Sequence, residues 1–411
     1  MLEVPETNDR DVHRCSMKGT AAYGLGSTRS EPRQLFWATT GTVAAFVVLS
    51  TIIRPVFAQH HVYWGDVHGH TRLSDGKGTV DDYFKYARDV SKLDFVIATD
   101  HDFGNASPWR MPKEDWTLTQ DSADRHTKNG RFVAIAGYEW TSQTKYWTDV
   151  DKGIASERLF PGPPRFYNHK NVYFPSHVDY IFSAKDPAYN NPKGLAEAVR
   201  KYGGLVHNCH PTEGLEGRDQ FAYDASCYDV IANIEMGPDT LYYQGTKYDL
   251  GWETVVRAFL NRGGKTGFVG GTDTHEGRPA ARTAVLAWEL TRPAVFEALR
   301  HRRNYVVTNA RIVLDFQVNG HFMGEEIEIE DKPEIVAEIK GTDEVEQVVI
   351  VRDGSIIYAQ EPKIDRVRLG YVDKDFQGSS YYYLRVTQAD KDEYGNPSQA
   401  WSSPIWVKKK R

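Results

Sequence analysis

A recurring unit limits what this chain can fold into. A short apolar run ends on a histidine or a carboxylate, and helical periodicity then takes over. Val62–Val67 leads into His68 and His70, and Leu93–Ala98 into Asp100 and His101. Arg131–Ala136 leads into Glu139, and the run beginning at Leu205 into His210. Val230–Met236 is a further run, and Thr266–Gly271 is the last, ending at Asp273 and His275. Asn171–Phe174 is a weaker run with His169 just before it. Between these lie helix signals. Thr79–Asp82 resembles a capping box, with Val80, Tyr83, Phe84, Ala87 and Val90 at helical spacing. Pro192–Tyr202 starts on proline and stops at Gly203-Gly204, Trp252–Leu260 closes at Gly263-Gly264, and Thr291–Arg300 carries Pro293 in its first turn.

Strand–helix alternation with buried strands predicts an α/β fold with parallel pairing and right-handed crossovers. About seven strands in one series predict a barrel rather than an open sheet over residues 59–305, with its chemistry at the carboxyl ends of the strands. Two long intervals, Gly104–Gly130 and Thr141–Asn168, are rich in aromatic and charged residues. They read equally as lid or substrate-pocket segments and as packing against a second domain. From about Asn304 the helical pattern stops. Short alternating runs at Arg311–Val318, Ile335–Ile339, Val345–Arg352, Ile356–Tyr358, Val367–Leu369, Tyr381–Thr387 and Pro404–Lys408 predict a small antiparallel β-sandwich-like domain, residues 306–411. It is expected to be structural or pocket-closing, with a carbohydrate- or surface-binding role as the minor alternative.

Residues 1–34 are polar and aperiodic, whereas Leu35–Ile53 is nearly uncharged. Residues 35–58 read as a signal peptide, with Val56 and Ala58 before a cleavage point at Gln59, or as an uncleaved anchor. Thr and Gly residues dilute the run and favour cleavage, and Lys18, Arg29 and Arg33 favour a cytoplasmic amino end. The rest is expected to be periplasmic or secreted, or else held at the membrane by residues 35–53. In that setting Cys209 and Cys227 either pair or stay as separate buried thiols. Three cysteines in all exclude a disulfide scaffold and a cysteine-based zinc site. A formal charge of -6 without a basic block leaves no nucleic-acid partner expected.

The candidate metal ligands are His68, His70, Asp75, His101, Glu139, His169, His210, Asp273 and His275. Nitrogen and oxygen donors without thiolate suit Zn, Mn or Fe. Nine donors exceed one tetrahedral ion, so two or three divalent ions sharing bridging carboxylates are expected. Each motif alone has a plainer reading. His-x-His is more often a surface pair, Thr99–His101 a turn, Glu139 a surface acid, and Asp273-x-His275 a salt bridge. Their joint occurrence at strand ends is what favours a site. His177 competes with His169, and His207 with His210. His13, His60, His61, His126, His301 and His321 read as non-ligands. Asp66, Asp100 and Glu276 are candidates to orient histidines or move protons. Arg278 and Arg282 are candidates to hold an anionic substrate group, or else make ordinary ion pairs.

These residues resemble the polymerase and histidinol phosphatase (PHP) superfamily of metal-dependent hydrolases. The matching stretches are D-V-H-G-H-T at Asp66–Thr71, S-D-G at Ser74–Gly76 and T-D-H-D at Thr99–Asp102. G-Y-E at Gly137–Glu139, H-P at His210–Pro211 and G-T-D-T-H at Gly271–His275 complete the set. The spacing from Gly203-Gly204 to His210 also looks like the family's, which favours His210 over His207. The resemblance covers roughly residues 62–305 and implies a distorted (β/α)7 barrel with a trinuclear metal site and phosphoester hydrolysis. The Tyr63–Thr71 opening and the Ala400–Trp406 end are similar to an exported branch that includes carbaryl (aryl carbamate) hydrolases. The expected function is therefore an exported hydrolase in which a metal-bridging hydroxide attacks a small-molecule ester, most often a phosphoester. A carbamate or aryl ester hydrolase of the same fold is the first alternative, slightly favoured by the aromatic insertions. A barrel that only binds metal or ligand is the second.

Overall fold

The computed structural model describes residues 60–103, 110–142, 167–211 and 220–410. The predicted leader at 35–58, residues 104–109 of the first long interval and residues 143–166 of the second lie outside the described residues.

Nine strands carry the N-terminal part: β1 (His61–Asp66), β2 (Phe95–Ala98), β3 (Val133–Ser142), β4 (Asn168–Tyr173), β5 (Leu205–Asn208), β6 (Ile231–Glu235) and, beyond the β7 (Thr240–Tyr243) and β8 (Thr246–Asp249) hairpin, β9 (Gly267–Val269), β10 (Thr283–Ala287) and β11 (Asn304–Val307). Their spatial order is β9-β6-β5-β4-β3-β2-β1-β10-β11. Side chains rather than a ladder link β9 back to β10 and β11: Thr283 Oγ1 meets both Gly270 N and Gly270 O, and Asn304 Nδ2 donates to Phe268 O at 2.7 Å. Strands β2, β3, β5 and β6 are buried at every residue, as sheets covered on both faces must be. In β2, Phe95 and Ile97 join one core cluster while Val96 and Ala98 join another, because alternate side chains leave opposite faces.

The prediction of uniformly parallel pairing is corrected at two places. Pairs β1/β2, β2/β3, β5/β6 and β6/β9 are parallel. However, β4 runs antiparallel to β3 and β5, and β10 runs antiparallel to β1 and β11. The reversal of β4 explains why His169 precedes its apolar residues while other ligands follow theirs. On a reversed strand the amino end lies at the same edge as its neighbours' carboxyl ends.

The helices are α1 (Val80–Asp89), α2 (Lys113–His126), α3 (Pro192–Arg200), α4 (Trp252–Asn261) and α5 (Arg292–Arg300). The Thr79/Asp82 capping box closes α1, with Thr79 Oγ1 accepting from Asp82 N at 3.0 Å. Asn191 caps α3 and Thr291 caps α5, each just before a proline-containing first turn. Helix α2 falls inside the interval predicted only as an insertion. Its Trp116 is buried and donates to Val178 O at 2.7 Å, so that tryptophan packs the core.

The C-terminal strands are β12 (Val313–Val318), β13 (His321–Phe322), β14 (Glu326–Ile329), β15 (Glu334–Arg352), β16 (Ser355–Gln360), β17 (Ile364–Val372), β18 (Ser379–Lys391), β19 (Pro397–Ser402) and β20 (Ile405–Lys409). The two predicted runs at 335–339 and 345–352 form one strand, β15, with an irregular register between Lys340 and Val345. Pairing is antiparallel except for β14 with β20. Strand β11 pairs with β10 on one side and β19 on the other, and one core cluster runs from Trp64, Ala284 and Tyr305 into Phe316, Leu384 and Val407.

Candidate metal centre

Backbone hydrogen bonds stitch the ligand-bearing segments together side by side. Asp273 N donates to His68 O at 3.0 Å, and His70 N to Thr274 O at 2.9 Å. Across the other side, Thr99 N donates to Gly69 O at 2.9 Å. Glu139 N donates to Asp100 O, and Asp102 N returns to Glu139 O. Thr141 is the register partner of His169, and Cys209 N donates to His169 O. Along each extended segment, residues two apart share a face. His68 and His70 therefore point the same way, into the space that His101, Glu139, His169, His210 and Asp273 also reach.

All nine predicted ligands come together. Their donor atoms fall into overlapping groups in which each lies within 4.8 Å of the others: His70, Asp75, His101 and His275; His68, His210 and Asp273; His101, Glu139 and His169; and His68, His70 and Glu139. Glu139 sits centrally. Its Oε1 is 2.8 Å from His169 Nδ1, 3.2 Å from His210 Nε2 and 3.5 Å from His68 Nε2, and its Oε2 is 2.7 Å from His101 Nδ1 and 3.6 Å from His70 Nε2. Asp273 Oδ1 lies 3.0 Å from His70 Nε2 and 3.2 Å from His68 Nε2. Asp75 lies within 3.5 Å of His70, His101 and His275. His68, His70 and Glu139 are buried, whereas the side chains of Asp75 and His275 are half-exposed, so the cluster opens on their side.

Burial by itself would push Glu139 and Asp273 up, but the imidazoles around them hold both carboxyls below their ordinary range. Burial likewise opposes protonation of His68 and His101, yet the facing carboxylates win and lift His68 well above normal and His101 to about 10. His169 goes the other way, lowered by burial. The cluster thus concentrates anionic groups that demand positive charge, which a divalent ion meets by displacing imidazole protons. Two buried atoms point to the same fit: His68 Nε2 and Glu139 Oε2 make no hydrogen bond of acceptable geometry despite their close neighbours. The donor set, all N and O, suits a borderline or hard divalent ion.

Other predicted residues take different places. Asp66 accepts from Thr272 N, Thr272 Oγ1, Ala280 N and His68 N. Asp100 accepts from the backbone N and hydroxyl of both Thr71 and Ser74. Both carboxylates fix loops beside the ligands, and neither bonds an imidazole. Glu276 is exposed and pairs with Lys77 at 2.8 Å. Arg278 is exposed, and its backbone N donates to Thr274 Oγ1. Arg282 turns to Thr308 O and Asn309 on the C-terminal side. His177 pairs with Asp124 at 2.9 Å, and His207 Nε2 meets Asn171 at 3.1 Å, which leaves His169 and His210 as the members of the cluster. Cys209 and Cys227 are both buried free thiols, which closes the question of their pairing.

Sequence reasoning missed Glu235. Its Oε1 is 2.8 Å from His68 Nδ1, and its Oε2 accepts from His210 N at 2.6 Å. The signal was present, because Glu235 is a carboxylate at the carboxyl end of a strand. It lay inside the predicted run 230–236 and so passed as a strand residue.

A family model described as a protein of unknown function (DUF3604) matches residues 75–152. Similar proteins include an uncharacterised protein of Chlamydia trachomatis, 27% identical over 84% of this chain and 57% of its own length. Uncharacterised proteins of Chlamydia muridarum and Chlamydia pneumoniae are 25% and 24% identical over the same shares. This chain therefore spans little more than half the length of those relatives. Among solved structures, a two-domain protein from Bacteroides vulgatus containing a predicted PHP-like metal-dependent phosphoesterase is 15% identical, with a TM-score of 0.43 over 85% of this chain and 95% of that one.

Proposed function

We propose that this chain is a PHP-type metal-dependent hydrolase that cleaves phosphoesters, built on a distorted α/β barrel followed by the C-terminal β strands. The observation that carries the reading is the convergence of nine N and O donors around the buried Glu139 carboxylate, with His68 Nε2 and Glu139 Oε2 left without hydrogen bonds. Two or three divalent ions at these residues would supply electrophilic activation of the scissile group and of the attacking water. Glu139, central among the imidazoles, would hold metal together with them, and Asp273 and Asp75 would serve the neighbouring donor groups. Asp66 and Asp100 keep the loops at 66–76 and 272–280 in register, so the ligands are placed before substrate arrives. The half-exposed side at Asp75 and His275 is the substrate entrance. The apolar run at 35–53, read as leader or anchor, puts the reaction outside the cytoplasm.

The carbamate or aryl ester alternative drew on aromatic residues in the long intervals. Among the described residues of those intervals, Trp116 is fully buried and donates to Val178 O. It builds the core and lends no support to an apolar leaving-group pocket.

The test combines metal analysis with turnover of nitrophenyl phosphate, its diester and a naphthyl carbamate, each with Mn2+ and with Zn2+. Phosphoester turnover with metal bound in the wild type and reduced metal in His101→Ala is the expected result. Metal-loaded protein inert on every ester refutes the hydrolase, and a His101→Ala protein with full metal content removes His101 from the site.

A further inference from the structure

We propose that Glu235, which lies outside the nine-donor set, is the positioning residue that makes His68 and His210 competent to hold metal. The inference rests on the metal-centre reading above and adds a residue to it.

Glu235 ends β6, is 1% exposed, and divides its two oxygens between two ligands. Oε1 faces His68 Nδ1 at 2.8 Å, which leaves His68 Nε2 directed toward Asp273 and Glu139. Oε2 holds the backbone N–H of His210 at 2.6 Å. That second bond matters because His210 has φ of 22°, a conformation that a non-glycine residue keeps only when its surroundings enforce it. One side chain thus sets the ring orientation of one ligand and the backbone of another. The strand pairing places it there, since Glu235 lies opposite Val269, two residues before Gly271. A Cβ at Gly271 would lie 2.6 Å from Glu235 Oε1, so only glycine there leaves room for the carboxylate.

Both hydrogen-bond partners of Glu235 are donors, and His207 Nε2 stands farther off, 3.6 Å from Oε1. His210 N–H is a donor by construction, and His68 must carry its proton on Nδ1 to keep Nε2 free for metal. Only an acceptor-only group satisfies both. A glutamine of nearly the same shape has one acceptor and one donor end. It either sets N–H against N–H at His210, or presents N–H to His68 Nδ1 and drives the proton onto Nε2, where it blocks the metal. Charge and acceptor pattern, rather than volume, are therefore what position 235 requires.

The experiment compares Zn2+ affinity, by chelator competition, in wild type, Glu235→Gln and Glu235→Asp, with the melting temperature of each chelated protein as a second readout. Glu235→Gln is expected to lose roughly 10- to 100-fold in Zn2+ affinity, and Glu235→Asp, shorter but acceptor-only, to retain more of it. A purely structural role predicts the opposite order, because glutamine preserves the volume. Equal affinities, or glutamine above aspartate, overturn the proposal. If Glu235→Gln does not fold, Glu235→Asn against Glu235→Asp makes the same comparison at matched size. Wild-type protein that takes up no Zn2+ or Mn2+ refutes the metal-centre reading itself, an outcome distinct from wild-type binding with indifferent variants.

Discussion

Gly271→Ala tests the packing of the centre without substituting a ligand. The added Cβ would lie 2.4 Å from His68 Cβ and 2.6 Å from Glu235 Oε1. Carbon atoms normally approach to about 3.5–4.0 Å, so His68 and the 271–275 segment must separate by roughly 1 Å. Overpacking of this kind costs about 1–3 kcal/mol. An unfolding entropy of about 2.1 cal/mol/K per residue over about 350 residues gives about 0.7 kcal/mol/K, so the metal-free melting temperature should fall by roughly 1.5–4 °C. The effect on the site should be larger, because ligand constellations tolerate only about 0.5 Å of displacement. A tenfold to hundredfold loss of Zn2+ affinity is expected, which equals about 1.4–2.7 kcal/mol. Gly370→Ala in β17 is the control: its added Cβ meets nothing within 4 Å, so Zn2+ affinity should not change. The measurements are chelator competition and thermal unfolding of chelated protein. A Gly271→Ala protein that binds Zn2+ like wild type would refute the placement of His68 against this loop.

Glu253 on α4 accepts from Tyr383 Oη at 2.6 Å, Arg385 Nη1 at 2.7 Å and Trp401 Nε1 at 3.3 Å, all from the C-terminal strands. Glu253→Ala strands a partly buried guanidinium and two buried donors, at about 3–5 kcal/mol, so melting should drop by roughly 4–7 °C while Zn2+ stoichiometry holds; a shift under a degree sinks this account. Asp102 is fully buried, and burial lifts its carboxyl from the ordinary 3.8 to about 6, against hydrogen bonds from Ala184 N and Ser183. The folded protein therefore keeps a proton that the unfolded chain releases, so this contribution is present below 3.8 and is lost as pH rises through about 6. Chelated wild type should lose about 3 kcal/mol relative to Asp102→Asn between those limits, and parallel pH–stability curves for the two proteins would contradict it.

Much of the site was legible because it depends on local pattern. An apolar run of four to six residues buried on both faces must end where the sheet ends. A histidine or carboxylate placed there arrives at the edge that the other strands share. That rule placed His68, His70, His101, His210, Asp273 and His275 at one edge, whereas Glu139 lies inside β3, which runs on to Ser142. It failed for Glu235, which lies one residue inside the predicted end of its strand. Asp66 and Asp100 were found as residues of the centre but assigned to rings and protons, because sequence shows proximity to a ligand and not which donors fill a carboxylate. In the structure those donors are the N–H and hydroxyl groups of Thr71, Ser74 and Thr272.

The sequence by itself determined which residue types stand at strand ends, where α1, α3, α4 and α5 begin, and where helical periodicity gives way to alternation. These follow from periods of 2 and 3.6 and from capping chemistry, which a chain expresses over a few residues. Tertiary structure decided the directions of β4 and β10, the fusion of the predicted runs 335–339 and 345–352 into β15, the burial of Trp116 and Trp140, and the separation of Cys209 from Cys227. It also decided that Glu235 faces His68, a contact between residues 167 positions apart. Strand direction and side-chain partnership are set by which distant segments bury each other's faces and satisfy each other's donors, and no local period carries that information.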